Sequence, residues 1–278
     1  YILIPMDAEG QAEHLKAYGI TYWVLEKQMK AKWLLNYRGG SFLLPDTEAI
    51  RKECQIRGVS FEVMSDSQTN QILEEISSPS QNMEAVVLEK APKIAVYSPK
   101  GNQPWDDAVT MVLTYAEIPY TTIYDEEVLT DQLLLYDWLH LHHEDFTGQY
   151  GKFYRAYRTA PWYIEQKREA EALAAKLGYS KVSEEKRDVA LKIRDYVIGG
   201  GFMFAMCSAT DSYDIALAAE GLDICGPMFD GDAAEINAQE KLDFSKTLAF
   251  KDFSLVKNPN QYEFSSIDAT QKRRINAK

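Results

Sequence analysis

The stretch "VIGGGFMFAMCSATDS", residues 197–212, carries the clearest fold signal in the chain. Three glycines end a helical segment, an apolar strand follows, and small polar residues then open another helix. Cys207 lies at this strand-to-helix turn, with Ala205 and Ala209 two positions to either side. A nucleophile elbow requires small residues at these two positions because the turn is cramped. The pattern therefore predicts either a cysteine nucleophile on a turn or a buried thiol in a core strand.

Strand-like and helical segments alternate on both sides of this stretch. Apolar strands are expected at 94–97, 137–141 and 202–206, and helices at 103–118, 161–177, 184–197 and 211–220. Such alternation is typical of an α/β fold in which a parallel sheet is sandwiched by helices. A separate α/β unit is expected in residues 1–90, and the polar stretch "SSPSQNME" is predicted to link it to a larger domain at 91–278.

The N-terminal unit shows the same alternation. "YILIPM" and "AKWLLN" are predicted strands, and residues 12–29 carry apolar side chains at helical spacing. "YRGGSFLLPDTE", residues 37–48, is interpreted as a loop that turns into a helix with Asp46 as its N-cap. The helix predicted from residue 103 has Pro104 near its first turn, where proline is favoured.

Composition and charge limit the classes of function. The 278 residues are 46% hydrophobic and 26% charged, as in ordinary globular proteins. A net charge of −12 repels the nucleic-acid backbone, and Lys272-Arg273-Arg274 is too short to reverse this, so no nucleic acid is predicted as a partner. No apolar run approaches the roughly 18–20 residues needed to cross a bilayer, so no transmembrane segment is predicted. The three cysteines form neither a disulfide framework nor a CxxC metal pattern.

"HLHHED", residues 140–145, is the densest cluster of titratable groups. In a parallel sheet this loop and the loop at Cys207 end at the carboxyl edge, where ligands bind, and they converge if their strands are neighbours. His142 or His143 would then act as the base for Cys207, with Glu144 orienting it. Alternatively, His140 and His142 would share a strand face and bind a divalent metal. A polar strand exit with one buried histidine is equally compatible, and no cofactor is predicted.

The stretch "FTGQYGKFYRAYRTAPWY", residues 146–163, points instead to recognition. Its aromatic residues flank Arg155 and Arg158, a composition common at binding surfaces. The same rings would equally pack against the sheet. A small-molecule ligand or a partner protein is the expected partner. Further candidates for ligand contact lie in the two converging loops: Asp145, Ser208, Thr210 and Asp211.

Two family resemblances extend this interpretation. Ala205-Met206-Cys207-Ser208-Ala209 resembles the Gly-x-Cys-x-Gly elbow of class I glutamine amidotransferase-like proteins, with alanines for glycines. Essentially the whole chain resembles a Bacteroidota family labelled asparagine synthetase B, through "YILIPMDAEGQ", "WLLNYRGGSFLLPDTE", "PWDDAVTMVLTYAEIPY" and "WLHLHHEDFTGQYGKFY". The first resemblance implies a flavodoxin-like fold with a cysteine nucleophile. The second implies a removed signal peptide, an extracytoplasmic location in the periplasm or at the outer membrane, and a chain that continues past Lys278.

The sequence departs from both families at chemically important positions. Glutamine-dependent asparagine synthetases use an N-terminal cysteine and an SGGxDS loop for ATP, whereas this chain has Tyr1 and "RGGSF", so ATP-dependent asparagine synthesis is not predicted. Amidotransferases place their catalytic histidine after the cysteine, but all four histidines here precede Cys207. The sequence therefore favours a ligand- or partner-binding module with degenerate or incomplete catalysis. A cysteine-dependent hydrolase or amidase that uses Cys207 and a histidine base is the alternative.

Overall fold

The structure, a computed structural model, describes residues 1–99 and 108–269. Contacts divide the described residues into two units, one with Tyr1–Lys93 and 108–120 and the other with 94–99 and 121–269. Pro104 and Lys272-Arg273-Arg274 lie outside the described residues. Over the ranges that are described, no helix combines the length and apolarity needed to cross a membrane.

The secondary structure of the described ranges follows the expected alternation of strands and helices. The strands are β1 Ile2–Ile4, β2 Ala31–Leu35, β3 Phe42–Leu44, β4 Glu62–Val63, β5 Glu84–Leu88, β6 Ile94–Tyr97, β7 Tyr120–Ile123, β8 Trp138–Leu141 and β9 Phe202–Ala205. The helices are α1 His14–Glu26, α2 Glu48–Arg57, α3 Asp66–Ser77, α4 Ala108–Ala116, α5 Asp125–Leu129, α6 Tyr154–Tyr157, α7 Pro161–Lys176, α8 Val182–Ile198, α9 Ser208–Ala218 and α10 Pro227–Asp230.

The first unit is built on an antiparallel five-stranded sheet with the strand order β4-β1-β3-β2-β5. Ile2 pairs with Leu44, and Leu3 pairs with Leu43. Because successive side chains of a strand point to opposite faces, Ile2 and Leu44 pack with α1 and α2, whereas Leu3 and Leu43 pack with α3. Burial on both faces explains why β1 and β3 are apolar throughout.

The α/β unit expected in residues 1–90 has an antiparallel sheet, and the connection between β2 and β3 explains why. The stretch interpreted as a loop contains β3, which is only three residues long. Between β2 and β3 the chain makes a tight turn with positive φ at Asn36, Arg38, Gly39 and Gly40. Strands joined by so short a connection pair antiparallel, because a parallel pair needs a crossover of a dozen or more residues. The parallel sheet predicted for residues 91–278 therefore has no counterpart in this unit.

Two helices of the first unit also differ from expectation. Thr47, not Asp46, caps α2: its Oγ1 accepts a hydrogen bond from the Ile50 amide at 3.2 Å. Contacts assign α4 to this unit, although the sequence places residues 91–278 in a second domain. α4 packs on α1, where the backbone of Gly19 lies so close to the Ala116 carbonyl that a Cβ would stand 1.7 Å from its oxygen.

The second unit contains a four-stranded sheet with the order β7-β6-β8-β9, and β8 pairs in parallel with both β6 and β9. The predicted α/β class with a parallel sheet is confirmed here. Leu139 and Leu141 of β8 pack against Ile193 of α8 and Ala209 of α9. The predicted helices at 161–177, 184–197 and 211–220 are confirmed as α7, α8 and α9. Because β8 and β9 are neighbours, their exit loops adjoin at the carboxyl edge of the sheet.

Candidate functional site

Cys207 lies between β9 and α9 in a strained backbone conformation. Its φ of 51° and ψ of −138° fall outside the regions that non-glycine residues ordinarily occupy, at a cost of about 1–3 kcal/mol. Cys207 is exposed, whereas Cys54 and Cys225 are buried. The interpretation of Cys207 as a buried core thiol is therefore wrong. The next residue begins α9, so the positive end of the helix dipole lies at this turn.

The exit loop of β8 contacts the Cys207 turn through backbone oxygens. The Ser208 hydroxyl donates to the carbonyl of His143 at 3.0 Å, and the Ala209 amide donates to the carbonyl of His142 at 3.3 Å. The predicted convergence of the two loops is confirmed. Ser208, a predicted ligand contact, thus fastens the two loops together through its side chain.

The histidines occupy two different environments. His142 and His143 adjoin, with their Nδ1 atoms 3.1 Å apart. His140 is buried, and its ring stacks on that of Phe204 with centroids 5.5 Å apart. β8 ends at Leu141, so the strand face that the metal alternative requires does not extend to His142. The loop therefore places two histidines, rather than three, beside the Cys207 turn.

Glu144 and Asp145 use their carboxylates to hold the backbone of this loop. Glu144 Oε2 accepts a hydrogen bond from the amide of His142 at 2.8 Å. Asp145 accepts from the amides of Thr147 at 2.7 Å and Gly151 at 3.0 Å. Charged acceptors of backbone amides stabilise a loop strongly. The assignment of Glu144 as the group that orients an imidazole, and of Asp145 as a ligand contact, stays a prediction.

Thr210 and Asp211 lie in the first turn of α9. The Thr210 hydroxyl donates to the carbonyl of Cys207 at 2.7 Å and so supports the strained turn. Asp211 is buried, and its Oδ1 accepts a hydrogen bond from the Ser265 hydroxyl at 2.7 Å. Burial raises the pKa of Asp211 to about 6, although the bond from Ser265 acts to lower it. Asp211 thereby links α9 to the C-terminal part of the chain.

Lys152 is a buried cation that the sequence analysis missed. Its Nζ donates to the carbonyls of Val256 at 2.7 Å and Glu263 at 2.9 Å. Residues 254–266 form a hairpin, closed by the bond from the Val256 amide to the Phe264 carbonyl. Burial lowers the pKa of Lys152 to about 8, although nearby carboxylates act to raise it. Its partners lie 104 and 111 positions away, so no local sequence signal could have identified it.

Arg155 and Arg158 are exposed, on α6 and directly after it. The Arg158 guanidinium donates to the carbonyl of Arg155 at 3.0 Å, and its central carbon lies 5.8 Å from the ring centroid of Tyr154. Both side chains are accessible to a ligand. Their role in binding one stays a prediction.

A separate group of potential metal ligands lies away from the histidines. Ligand atoms of Asp223, Cys225 and Asp230 lie within 4.8 Å of one another. Lys181 Nζ contacts both carboxylates of this group, at 2.5 Å for Asp223 and 3.3 Å for Asp230. Burial raises the pKa of the Cys225 thiol well above its usual range, so the thiol stays protonated and donates to the Thr147 carbonyl at 3.2 Å. This group is an ion-pair network centred on Lys181.

The geometry establishes an α/β fold with a parallel sheet and a cysteine turn at the carboxyl edge of that sheet. The resemblance to amidotransferase-like proteins is a finer statement and stays a prediction. The resemblance of the whole chain to the Bacteroidota family also stays a prediction. The chain matches no protein-family model, no curated protein and no solved structure.

Proposed function

We propose that Cys207 is the nucleophile of a hydrolase that acts on an amide or an ester. The observation that carries this proposal is the strained backbone at an exposed cysteine, with φ of 51° at the start of α9. Backbone strain persists only where the surrounding structure maintains it, and it concentrates at active sites. A module that only binds a ligand has no need of such strain at an exposed thiol.

The base in this proposal is His142 or His143. The sequence favours a binding module because no histidine follows Cys207 in the chain. However, catalytic triads occur in several chain orders on unrelated folds, so a base can precede its nucleophile. The carbonyls of His142 and His143 bond to Ala209 and Ser208, which are the two residues after Cys207. Either imidazole is thus attached to a backbone that contacts the turn.

The proposed reaction passes through a thioester. The imidazole takes the proton of the Cys207 thiol, and the thiolate attacks the carbonyl carbon of the substrate. The C–N or C–O bond breaks, and the leaving amine or alcohol takes the proton from the imidazolium. Water then gives a proton to the imidazole and attacks the thioester, which releases the carboxylic acid and restores the thiol. The amide of Ser208, at the first position of α9, has no acceptor within the helix and can donate to the oxyanion.

The test is the pH dependence of iodoacetamide alkylation, read for each cysteine by peptide mass spectrometry. We expect Cys207 to react in the native protein with a midpoint below about 8.5, the ordinary value for a free thiol. Cys54 and Cys225 serve as internal controls, because burial raises the pKa of both thiols and shields them. Replacing the catalytic base, by His142→Ala or His143→Ala, should raise the midpoint. A Cys207 midpoint at or above 8.5 in the unmodified protein, in His142→Ala and in His143→Ala would contradict the proposal.

A non-catalytic binding module is the second candidate. The observation that favours it is the exposure of Tyr157 and Trp162. Large aromatic side chains that are exposed together often mark a binding surface, because a ligand that covers them removes apolar area from water. This candidate predicts ligand binding with an ordinary Cys207 thiol. The alkylation profile therefore separates the two candidates.

A further inference from the structure

We propose that an aromatic cluster of Phe153, Tyr157, Trp162 and Tyr262 binds an aryl group of the substrate on which Cys207 acts. This inference rests on the proposed function of Cys207 and adds the chemical class of the substrate. It is supported by the exposure of the cluster, its connection to the first turn of α9, the backbone that holds it and the angles between its rings.

The four rings form one contiguous surface. The Phe153 centroid lies 6.0 Å from that of Tyr157, 5.8 Å from that of Trp162 and 5.7 Å from that of Tyr262. The centroids of Tyr157 and Trp162 are 5.0 Å apart. Tyr157, Trp162 and Tyr262 are 43%, 47% and 49% exposed. Apolar area left in water is unfavourable, so a ligand that covers these rings gains free energy from their burial.

Tyr262 connects this cluster to the candidate nucleophile. It belongs to the hairpin at 254–266, which is bonded to α9 through Ser265 and Asp211, four residues after Cys207. Burial, and after it the Cys207 thiol, raise the pKa of Tyr262. The Ser265–Asp211 bond fastens the segment that carries Tyr262 to the first turn of α9, which begins directly after Cys207.

The backbone before Phe153 is strained and firmly held. Three consecutive residues, Tyr150, Gly151 and Lys152, have φ of 52°, 66° and 55°. Such a run is rare because left-handed conformations cost non-glycine residues roughly 1–2 kcal/mol each. Asp145 accepts from the Gly151 amide, and Lys152 binds two carbonyls of the hairpin. These bonds fix Phe153 against Tyr262, so the cluster is formed before a ligand arrives.

The ring angles favour an aryl group over a sugar. Phe153 meets both Tyr157 and Trp162 at 76°, and Tyr157 meets Trp162 at 54°. Aromatic rings prefer edge-to-face and offset contacts, which these mutually inclined rings offer to a further ring. The faces are not coplanar, so they provide no single flat platform for a sugar. The segment 146–164 contains no acidic residue, but Glu263 and Asp268 act on the Tyr262 phenol and raise its pKa, so an uncharged aryl group suits the cluster as a whole.

Binding is tested first, by NMR titration of the Cys207→Ser protein with phenylacetamide and acetamide. We expect phenylacetamide to bind at least about tenfold more tightly, since burying a phenyl ring contributes more than 1.4 kcal/mol. Trp162→Ala and Tyr157→Ala, on different elements, should each remove most of this preference. Phe202→Ala is the matched control, because Phe202 is an exposed aromatic residue at the opposite end of β9 and its loss should change nothing.

Turnover is tested separately in proteins that retain Cys207, with methyl phenylacetate and methyl acetate as substrates. Trp162→Ala should lower kcat/KM about tenfold for the aryl ester alone, as expected when uniform binding of the aryl group is lost. Equal affinity for the two amides, a preference unchanged in both cluster variants, or tighter binding of N-acetylglucosamine would overturn the aryl site. Preferential aryl binding without Cys207-dependent hydrolysis of either ester would instead contradict the proposed function and leave the aryl site standing.

Discussion

The hydroxyl of Ser265 donates a hydrogen bond to the buried carboxyl of Asp211 across 54 positions of the sequence, at 2.7 Å. This bond fastens the C-terminal hairpin to the first turn of α9, beside Cys207. The second oxygen of Asp211, Oδ2, is buried and has no hydrogen-bond partner among the described residues. A buried carboxylate that is only partly satisfied favours its neutral form. The site therefore holds a carboxyl group that titrates in an unusual range.

Asp211→Asn should change how stability depends on pH. The pKa of Asp211 is about 6 in the folded protein, above the usual 3.8, so its stabilising contribution is complete below about pH 4 and is lost as the pH rises to about 6. Relative to Asp211→Asn, the unmodified protein should lose at most about 3 kcal/mol of unfolding free energy over this range and little above it. Urea unfolding of both proteins at several pH values measures this. An unfolding free-energy difference that is constant from pH 4 to 8 would contradict the assigned burial, and the exposed Asp195→Asn serves as control.

Lys186 should be essential for the stability of the second unit. Its buried Nζ lies 2.7 Å from Asp125 Oδ2 and 2.9 Å from the Tyr124 hydroxyl. Lys186→Met leaves the Asp125 carboxylate buried and unpaired, which should cost about 3–5 kcal/mol of unfolding free energy. Lys192→Met, which removes an exposed pair with Asp131, should cost less than about 1 kcal/mol. Urea unfolding of the two variants checks this, and equal losses would show that the Lys186 pair is not sequestered from water.

Glu185 provides a second pH window, distinct from that of Asp211. It is fully buried, and burial, followed by the neighbouring Asp125 carboxylate, raises its pKa to about 8 against the opposing effect of Lys186. The folded pKa exceeds the usual 4.5, so stability falls as the pH rises from about 4.5 to about 8 and then levels off. Glu185→Gln should remove this fall. Because Asp211 acts only up to about pH 6, the change between pH 6 and 8 in thermal or urea unfolding isolates Glu185. A decline that persists in Glu185→Gln would assign it to another group.

The sequence was sufficient to predict the elements that local pattern specifies. β9 and α9 follow from an apolar run between three glycines and small polar residues, and the adjacency of the two exit loops follows from the rule for parallel sheets. β3 was missed because three residues beside a glycine turn carry too little periodicity. Lys152 and Ser265 were missed for a different reason. Their contacts join distant parts of the chain, so only the folded structure reveals that Lys152 holds the hairpin at 254–266 and that Ser265 fastens this hairpin to α9.

The start of α2 offers a direct comparison of two candidate caps that are adjacent in the sequence. The Thr47 hydroxyl accepts from the amide of Ile50, whereas Asp46 forms an exposed ion pair with Arg51. Thr47→Ala leaves an amide of the first helical turn without its acceptor and should lower the unfolding free energy by about 1 kcal/mol. Asp46→Ala removes only an exposed ion pair, so its effect should stay below that of Thr47→Ala. Unfolding of both variants in urea decides between the caps. A larger loss for Asp46→Ala would restore Asp46 as the N-cap that the sequence predicts.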